Sequence, residues 1–177
     1  MTMPTAVERL TADEYLARDD PRRTELIDGV IVVNQPTVLH QHVCVRFLME
    51  LVRWTETANG RGTAILPLNV VLDESNVLAP DVLWFHGELP LDAANPPRLP
   101  DLVVEVRSPS TWRYDIGRKR ELCQQHGVRE LWLVDTSSRS VLVYRGDDAQ
   151  EHGAEDTLTS PLLPGFAASV GALIPAA

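Results

Sequence analysis

Lysine is almost absent from this 177-residue chain, which has sixteen basic residues but only one lysine, Lys119. Arginine and lysine serve equally well on most surfaces. Arginine stays charged at any working pH, however, whereas the pKa of a lysine can be tuned by its surroundings. The single lysine is therefore a candidate for a chemical role.

Several protein classes are disfavoured by other features that the chain lacks. Two cysteines, Cys44 and Cys123, form no spaced motif, so neither a zinc site nor a disulfide is indicated. No apolar run approaches the roughly 18–20 residues of a membrane span. Residues 1–10 lack the apolar core of a secretory signal. We therefore expect a cytoplasmic protein that does not enter membranes.

Charge of one sign dominates, with 25 acidic residues and a formal net charge of −9. Such a chain is a poor non-specific polyanion binder, because phosphate contacts supply most of that affinity. One stretch runs against this balance. Between residues 107 and 120 only Asp115 is acidic, and the basic residues are Arg107, Arg113, Arg118, Lys119 and Arg120.

Length and a hydrophobic content of 44% fit one domain over residues 1–177, of α/β class with a mixed sheet. The predicted elements are a helix from Thr11 to about 18, a hairpin 24–33 around Asp28-Gly29, a helix about 39–58, strands 63–72, 77–85 and 101–106, a helix about 115–126, and strands 130–134 and 140–144. The order from 101 to 134 predicts a strand–helix–strand crossover. Residues 146–177 carry no clear pattern.

Two carboxylates interrupt apolar strands. Glu105 lies in a run that should be buried, so it needs a cation, a metal ion or strong donors beside it, and a plain ion pair with an arginine explains it about as well as a functional role. Asp81 follows Pro80, which predicts an edge or a bulge. Alone, Asp81 is typical of a turn residue. Together, two carboxylates on neighbouring strands could share a hard divalent cation.

Lys119 shares a helical face with Leu122 and Cys123 at 100° per residue, so it points toward the sheet. There it could snorkel at an edge, neutralise Glu105 or stabilise charge on a reacting phosphate.

The other polar candidates are weaker. Glu25 alone carries no signal, and His40 and His42 diverge on a helix, so no metal role is expected for them. No serine-nucleophile elbow or glycine-rich phosphate loop is present.

Several blocks within about residues 10–145 match a family pattern. They are Leu10-Thr11-Ala12-Asp13-Glu14-Tyr15-Leu16, Glu25-Leu26-Ile27-Asp28-Gly29, Ala79-Pro80-Asp81-Val82, Asp101 through Glu105 to Ser108-Pro109-Ser110-Thr111, Asp115 through Lys119-Arg120-Glu121-Leu122, and Gly127-Val128 with Leu131-Trp132-Leu133-Val134-Asp135. In these blocks the chain resembles the Uma2-like family of restriction endonucleases, a bacterial group with the PD-(D/E)xK nuclease fold.

The resemblance implies an α-β-β-β-α-β restriction-endonuclease-like core, preceded here by a helix and a β-hairpin. It also implies that Asp81 and Glu105 bind Mg²⁺ or Mn²⁺, that Glu25 joins them and that Lys119 is the catalytic lysine. In the general superfamily pattern the lysine lies two residues after the second acid. That position is Arg107 here, so the lysine has moved to the following helix.

A metal-dependent DNA endonuclease is the function that follows from the resemblance. Arg107, Arg113, Arg118 and Arg120 would lie near the phosphate backbone, and a homodimer would supply one site for each strand. Two alternatives stay open. A nuclease-fold binding or assembly module without cleavage activity is favoured by the acidic charge and by Arg107. The third candidate is a hydrolase of some smaller phosphoester.

Overall fold

The computed structural model describes residues 9–20, 22–108 and 112–176. Within them the elements are α1 (Ala12–Leu16), β1 (Thr24–Ile27), β2 (Val30–Val33), α2 (Val38–Glu56), β3 (Thr63–Ile65), β4 (Val70–Asp73), β5 (Asn76–Leu78), β6 (Val82–Phe85), β7 (Leu102–Val106), α3 (Trp112–Tyr114), a π-helical turn (Asp115–Lys119), α4 (Arg120–Gln125), β8 (Glu130–Asp135), β9 (Ser140–Arg145), β10 (Asp148–His152), β11 (Thr157–Leu158), β12 (Ala168–Ser169) and α5 (Val170–Leu173). The predicted mixed α/β class is confirmed.

A six-stranded mixed sheet in the order β10-β9-β8-β7-β6-β3 forms the centre of the molecule. β7 and β8 are parallel, and the other pairs in this sheet are antiparallel. All five residues of β7 are buried, as expected for a strand covered on both faces. The predicted strand–helix–strand crossover is therefore confirmed.

The first hairpin belongs to a second sheet of four strands, in the order β2-β1-β5-β4. Its two-residue turn is Asp28-Gly29, with φ values of 50° and 77°. Positive φ at both positions is what a type I′ hairpin turn requires. The turn fixes the register that pairs Glu25 with Val32.

Two predicted strands are each broken in the structure. Residues 63–72 divide into β3 and β4, and residues 77–85 divide into β5 and β6, so each half joins a different sheet. At Pro80-Asp81, where an edge or a bulge was predicted, the structure has a break between two strands, because a proline cannot donate to a strand ladder. The alternative that Pro80 marks a sheet edge is wrong for the strand it precedes, since β6 lies between β3 and β7.

The crossover helix begins earlier than predicted, at Trp112, and contains a π-helical turn before α4. Gly127, with φ of 83°, follows the end of this helix. Of the turn predicted at residues 108–111, only Ser108 lies within the described residues, and its side chain is buried.

Residues 146–176 also contribute to the core. β10 pairs with β9, and Leu158, Phe166, Val170 and Ile174 are buried in the same apolar cluster as Trp132. The structure therefore gives this segment a packing role that its sequence pattern did not indicate. None of the described helices is long and apolar enough to cross a membrane.

Two glycines that follow α2 give a matched test of how closely the chain after this helix approaches β6. A Cβ on Gly62 would lie 2.1 Å from the Phe85 carbonyl oxygen, whereas a Cβ on Gly60 meets nothing within 4 Å. Both residues have positive φ, which costs a non-glycine residue about 1–2 kcal/mol. We expect Gly60→Ala to lower the free energy of unfolding by about that amount, and Gly62→Ala by at least about 2 kcal/mol more, in urea unfolding. Equal losses would contradict the close approach.

Candidate active site

Two predicted acids meet where β6 and β7 pair. Glu105 lies within β7, and Asp81 directly precedes β6, whose Val82 is opposite Val104. The Asp81 carboxylate reaches across to β7, where its Oδ2 accepts a hydrogen bond from the Val106 N–H at 2.7 Å. Both side chains are almost completely buried. The break before β6 therefore directs one carboxylate toward the other strand.

Glu25 joins them from β1 of the smaller sheet. Its Oε1 accepts a hydrogen bond from the Ala79 N–H at 2.8 Å. Ala79 lies in the break between β5 and β6, and a buried N–H that leaves a strand ladder needs such an acceptor. The same contact therefore satisfies the strand break and brings Glu25 beside Asp81.

Lys119 lies between carboxylates from three elements. Its Nζ is 2.6 Å from Glu105 Oε1, 3.0 Å from Glu25 Oε2 and 3.0 Å from Asp115 Oδ1. An ammonium has three N–H donors and no acceptor, so this arrangement can use each donor once. The lysine side chain is 3% exposed. The prediction that Lys119 points toward the sheet, near Glu105, is confirmed.

Asp115 was missed as a site residue. It lies at the start of the π-helical turn that ends at Lys119, and π-helical turns are frequent at functional sites. A sequence signal existed. At 100° per residue Asp115 falls between Leu122 and Lys119 on the face that was assigned to the sheet. An acid four residues before the buried lysine is also the spacing of a helical ion pair.

Asp81 has cationic partners of its own. Arg23 Nη2 lies 2.7 Å from Asp81 Oδ1, and the same nitrogen donates a hydrogen bond to the Ala79 carbonyl oxygen. His40 Nε2, on the buried face of α2, lies 3.1 Å from Asp81 Oδ2. Neither Arg23 nor His40 was a predicted site residue. Both come from positions distant in sequence from Asp81, so no local pattern points to them.

The pKa values of the buried acids separate into two groups. Burial raises the pKa of Glu105 well above its usual range. The attraction of Lys119 acts against burial, whereas the charges of Asp115, Glu25 and Asp81 raise this pKa further. Burial raises the pKa of Asp115 in the same way. Burial would also raise the pKa of Asp81, but the hydrogen bond and charge of His40, with the charge of Arg23, hold it below its usual range.

Lys119 itself stays charged. Burial would lower the pKa of its ammonium, but the negative charges of Asp115, Glu105 and Glu25 raise that pKa well above the usual value. The cluster then contains four carboxylates, Glu25, Asp81, Glu105 and Asp115, against two permanent cations, Lys119 and Arg23. With all four carboxylates ionised, they outnumber the cations even when His40, which faces Asp81, is protonated. Protons or a divalent cation can relieve this excess of negative charge.

A model of the Uma2 family, described as "Putative restriction endonuclease", matches residues 12–171. The chain belongs to the Uma2 family. The family description supports a nuclease function for this chain. A search of curated proteins gives no match.

A solved structure is also similar to this Uma2 chain. It is the crystal structure at 1.96 Å resolution of a protein from Anabaena variabilis ATCC 29413, described as a putative nuclease belonging to DUF820. The TM-score is 0.81 at 21% sequence identity, over 93% of this chain and 97% of that one. At this identity the likeness shows the fold, and the predicted restriction-endonuclease-like architecture is confirmed.

The arginines predicted to contact DNA lie outside the buried cluster. Arg107 Nη1 is 2.9 Å from both Asp135 carboxylate oxygens, and its guanidinium lies over Trp112. Arg118 is paired with Asp28. Arg120 lies over the Tyr144 ring, and Arg113 is exposed. Their role in binding DNA stays a prediction, with Arg107 and Arg118 already engaged by carboxylates of this chain.

His40, Cys44 and Asp81 are close enough together to hold a metal ion, with ligand atoms within 4.8 Å of one another. The contacts favour a different role. Cys44 Sγ lies 3.5 Å from His40 Nδ1, while His40 Nε2 faces Asp81, so both ring nitrogens are already in use. Burial, with the charge of Asp81, raises the pKa of the Cys44 thiol, which disfavours the thiolate that metals bind. The contacts of His40 therefore fit a positioning role, in which its ring orients the Asp81 carboxylate.

Replacing Lys119 by Met tests the charge balance. Glu25, Glu105 and Asp115 would lose their shared cation, and breaking a buried ion pair from one side costs about 3–5 kcal/mol. We expect Lys119→Met to lower the free energy of unfolding by about that amount at pH 7. An acid with a raised pKa in the folded state binds protons that the unfolded chain releases. The deficit should therefore shrink as the pH falls toward about 4, where the unfolded acids also take up protons.

The matched control is Arg120→Met, which removes a partly exposed cation from the next position of the same helix. We expect it to cost less than about 1 kcal/mol, with no recovery at low pH. A Lys119→Met deficit that stays constant between neutral and acidic pH in urea unfolding would contradict the assigned coupling between the lysine and the acids.

Proposed function

We propose that the protein is a metal-dependent endonuclease that hydrolyses phosphodiester bonds of DNA. The observation that carries this proposal is the cluster around Lys119, in which acids from β1, β7 and the crossover helix converge on one buried ammonium beside Asp81. A purely structural ion pair needs one acid for each base. The surplus of carboxylates supports a site that receives a further cation.

Asp81 and Glu105 would hold the ion, which we propose is Mg²⁺ or Mn²⁺. Hard divalent cations take carboxylate oxygens, and the crowding that raises the pKa of Glu105 would be relieved by such a cation. When bound, the ion supplies Lewis-acid chemistry, withdrawing charge from the scissile phosphate and making water more acidic.

Lys119 would place a positive charge beside the phosphate, where negative charge develops during the reaction. Lys119 is held from three sides, so its ammonium is preorganised and needs little rearrangement during reaction. Glu25 and Asp115 act on the lysine, since each lies 3.0 Å from its Nζ. For Glu25 this contact favours a role in fixing Lys119 over a role as a further metal ligand.

A nuclease-fold module that binds or assembles without cleavage is the second candidate. The observation that favours it is Arg107, which stands at the position of the superfamily's lysine and is held by Asp135, the last residue of β8. A guanidinium cannot easily accept a proton, so Arg107 could bind a phosphate but not act as a base. A hydrolase of another phosphoester would use the same cluster and differ in substrate.

Cleavage of plasmid DNA separates these candidates. We expect wild-type protein to cut plasmid in Mg²⁺ or Mn²⁺, with no cutting in EDTA. Asp81→Ala should lower the cleavage rate at least about 100-fold because it removes a metal ligand. Lys119→Arg should do the same, since the larger planar fork does not fit a pocket formed around a compact ammonium. The rates are read from supercoiled and nicked bands on a gel.

Asp148→Ala is the matched control, because it makes the same change at an exposed acid of β10. It should cut at the wild-type rate. If the three variants and the wild type show the same background on plasmid and on circular single-stranded DNA, the endonuclease proposal fails. If Lys119→Arg still cleaves plasmid at the wild-type rate, the proposed role of Lys119 in the reaction is wrong.

Metal binding can be measured without activity. At a mildly alkaline pH we expect millimolar Mg²⁺ or Mn²⁺ to raise the thermal unfolding midpoint by about 3–5 °C, the shift for an ion present at about ten times its dissociation constant. Glu105→Gln should lose most of this shift, whereas Glu56→Gln, an exposed acid at the end of α2, should keep it. NaCl of equal ionic strength is the reference condition. An identical shift in all three proteins would show that the ion binds elsewhere.

A further inference from the structure

A cavity of about 590 Å³ lies directly against the candidate active site. Arg23, Thr24 and Ala79 contribute to its wall, and these residues adjoin Glu25 and Asp81 along the chain. Arg23 is shared by the cavity and the candidate active site, because it lines the cavity while its Nη2 contacts Asp81 Oδ1. Arg23 therefore lies between the cavity and Asp81.

Most of the charged side chains that line this cavity are basic. Arg18, Arg22 and Arg23 line it, and Asp20 is the one acid among the described residues of its wall. Arg18 and Arg22 share Asp20, at 3.9 Å and 2.7 Å, and their side chains remain 44% and 59% exposed. In a chain of net charge −9, three arginines around one cavity indicate an anionic occupant.

The remaining wall is suited to a nucleobase. Leu66 and Leu68 are exposed apolar side chains at the cavity, and Gln41, Asn69 and Asn95 bring amide groups. Apolar side chains with a few amides can hold a base by its faces and edges, and arginines hold the phosphates beside it. The volume falls in the range of small-molecule sites, about 300–1,000 Å³.

The depth of the acids restricts the form of the substrate. The side chains of Glu25, Asp81, Glu105, Asp115 and Lys119 are each at most 4% exposed. Arg23, by contrast, is 23% exposed. A scissile phosphate must therefore be drawn inward past Arg23, and nucleic-acid enzymes with recessed chemistry act on unpaired strands or extrude a nucleotide.

We propose that this cavity binds an unpaired segment of DNA, so that the substrate is a single strand or an unpaired region within a duplex. Arg18 and Arg22 contact phosphates that flank the scissile one, and Arg23 exchanges Asp81 for the scissile phosphate as the strand enters. This inference rests on the proposed nuclease function, whose substrate form it specifies.

The test is the binding of fluorescein-labelled oligonucleotides in EDTA, measured by anisotropy, so that metal-dependent cleavage does not consume the probe. An oligo(dT) of about 12 nucleotides, within the site sizes of single-strand binders, is compared with a blunt duplex of the same length. We expect the single strand to bind at least about tenfold more tightly. Arg18→Gln/Arg22→Gln should weaken single-strand binding about tenfold or more. It should also reduce the slope of log K against log salt concentration by about 0.7 for each phosphate that the variant no longer neutralises.

The matched control is Arg53→Gln/Arg129→Gln, which removes two charges from exposed arginines that each contact one carboxylate, Glu50 and Asp101. It should bind the single strand like the wild type and with the same salt slope. Tighter or equal binding of the duplex would overturn the proposal. So would equal weakening by the two double variants, because the arginines would then act only through net charge.

The role of the cavity and the proposed endonuclease activity can fail separately. Plasmid cleavage that depends on Asp81 and Lys119, without a preference for single strands, would contradict the cavity's role alone. Arginine-dependent binding of single strands, without cleavage of any DNA in Mg²⁺ or Mn²⁺, would retain the cavity and contradict the endonuclease.

Discussion

The buried ammonium of Lys119 is the group on which the arrangement of the site depends. Glu25 comes from the four-stranded sheet, Glu105 from the six-stranded sheet and Asp115 from the crossover helix, and all three lie within 3.0 Å of its Nζ. Without a cation their mutual repulsion in a buried setting would force protonation or separation. One side chain thus links three parts of the fold. This explains why a compact point charge is needed here in a chain that otherwise uses arginine.

A missing hydrogen-bond donor is the second constraint. Pro80 cannot donate to a strand ladder, so the chain breaks between β5 and β6 and its halves join different sheets. Glu25 accepts the Ala79 N–H and Asp81 accepts the Val106 N–H, so both acids have a structural partner as well as a place in the site. Such double use reduces the cost of keeping carboxylates buried, because each satisfies a backbone donor that would otherwise have no acceptor.

The sequence predicted the parts of the site that depend on local periodicity. Glu105 was visible as a charge inside an apolar strand, and Lys119 as a charge on the apolar face of a helix. Asp115 satisfied the same periodicity and was overlooked. Arg23 and His40 could not be found this way, since they meet Asp81 only through the tertiary fold. The division of two predicted strands between sheets was equally hidden, because apolar residues stand on both sides of each break and do not identify the pairing partner.

Access decides how many copies of the site one cleavage event needs. The expectation of a homodimer came from the two strands of a duplex, each requiring its own acids and lysine. Under the proposal that the cavity takes an unpaired strand, each copy of the site engages one strand at a time, because the acids are buried and Arg23 lies between Asp81 and a cavity of small-molecule size. Cutting an unpaired strand then needs only one copy of the site, and a dimer would have to be justified by stability or by recognition of the substrate. Because the chain carries a net charge of −9, the proposed strand would depend on the arginines beside the site for its attraction, since the net charge of the chain opposes its approach.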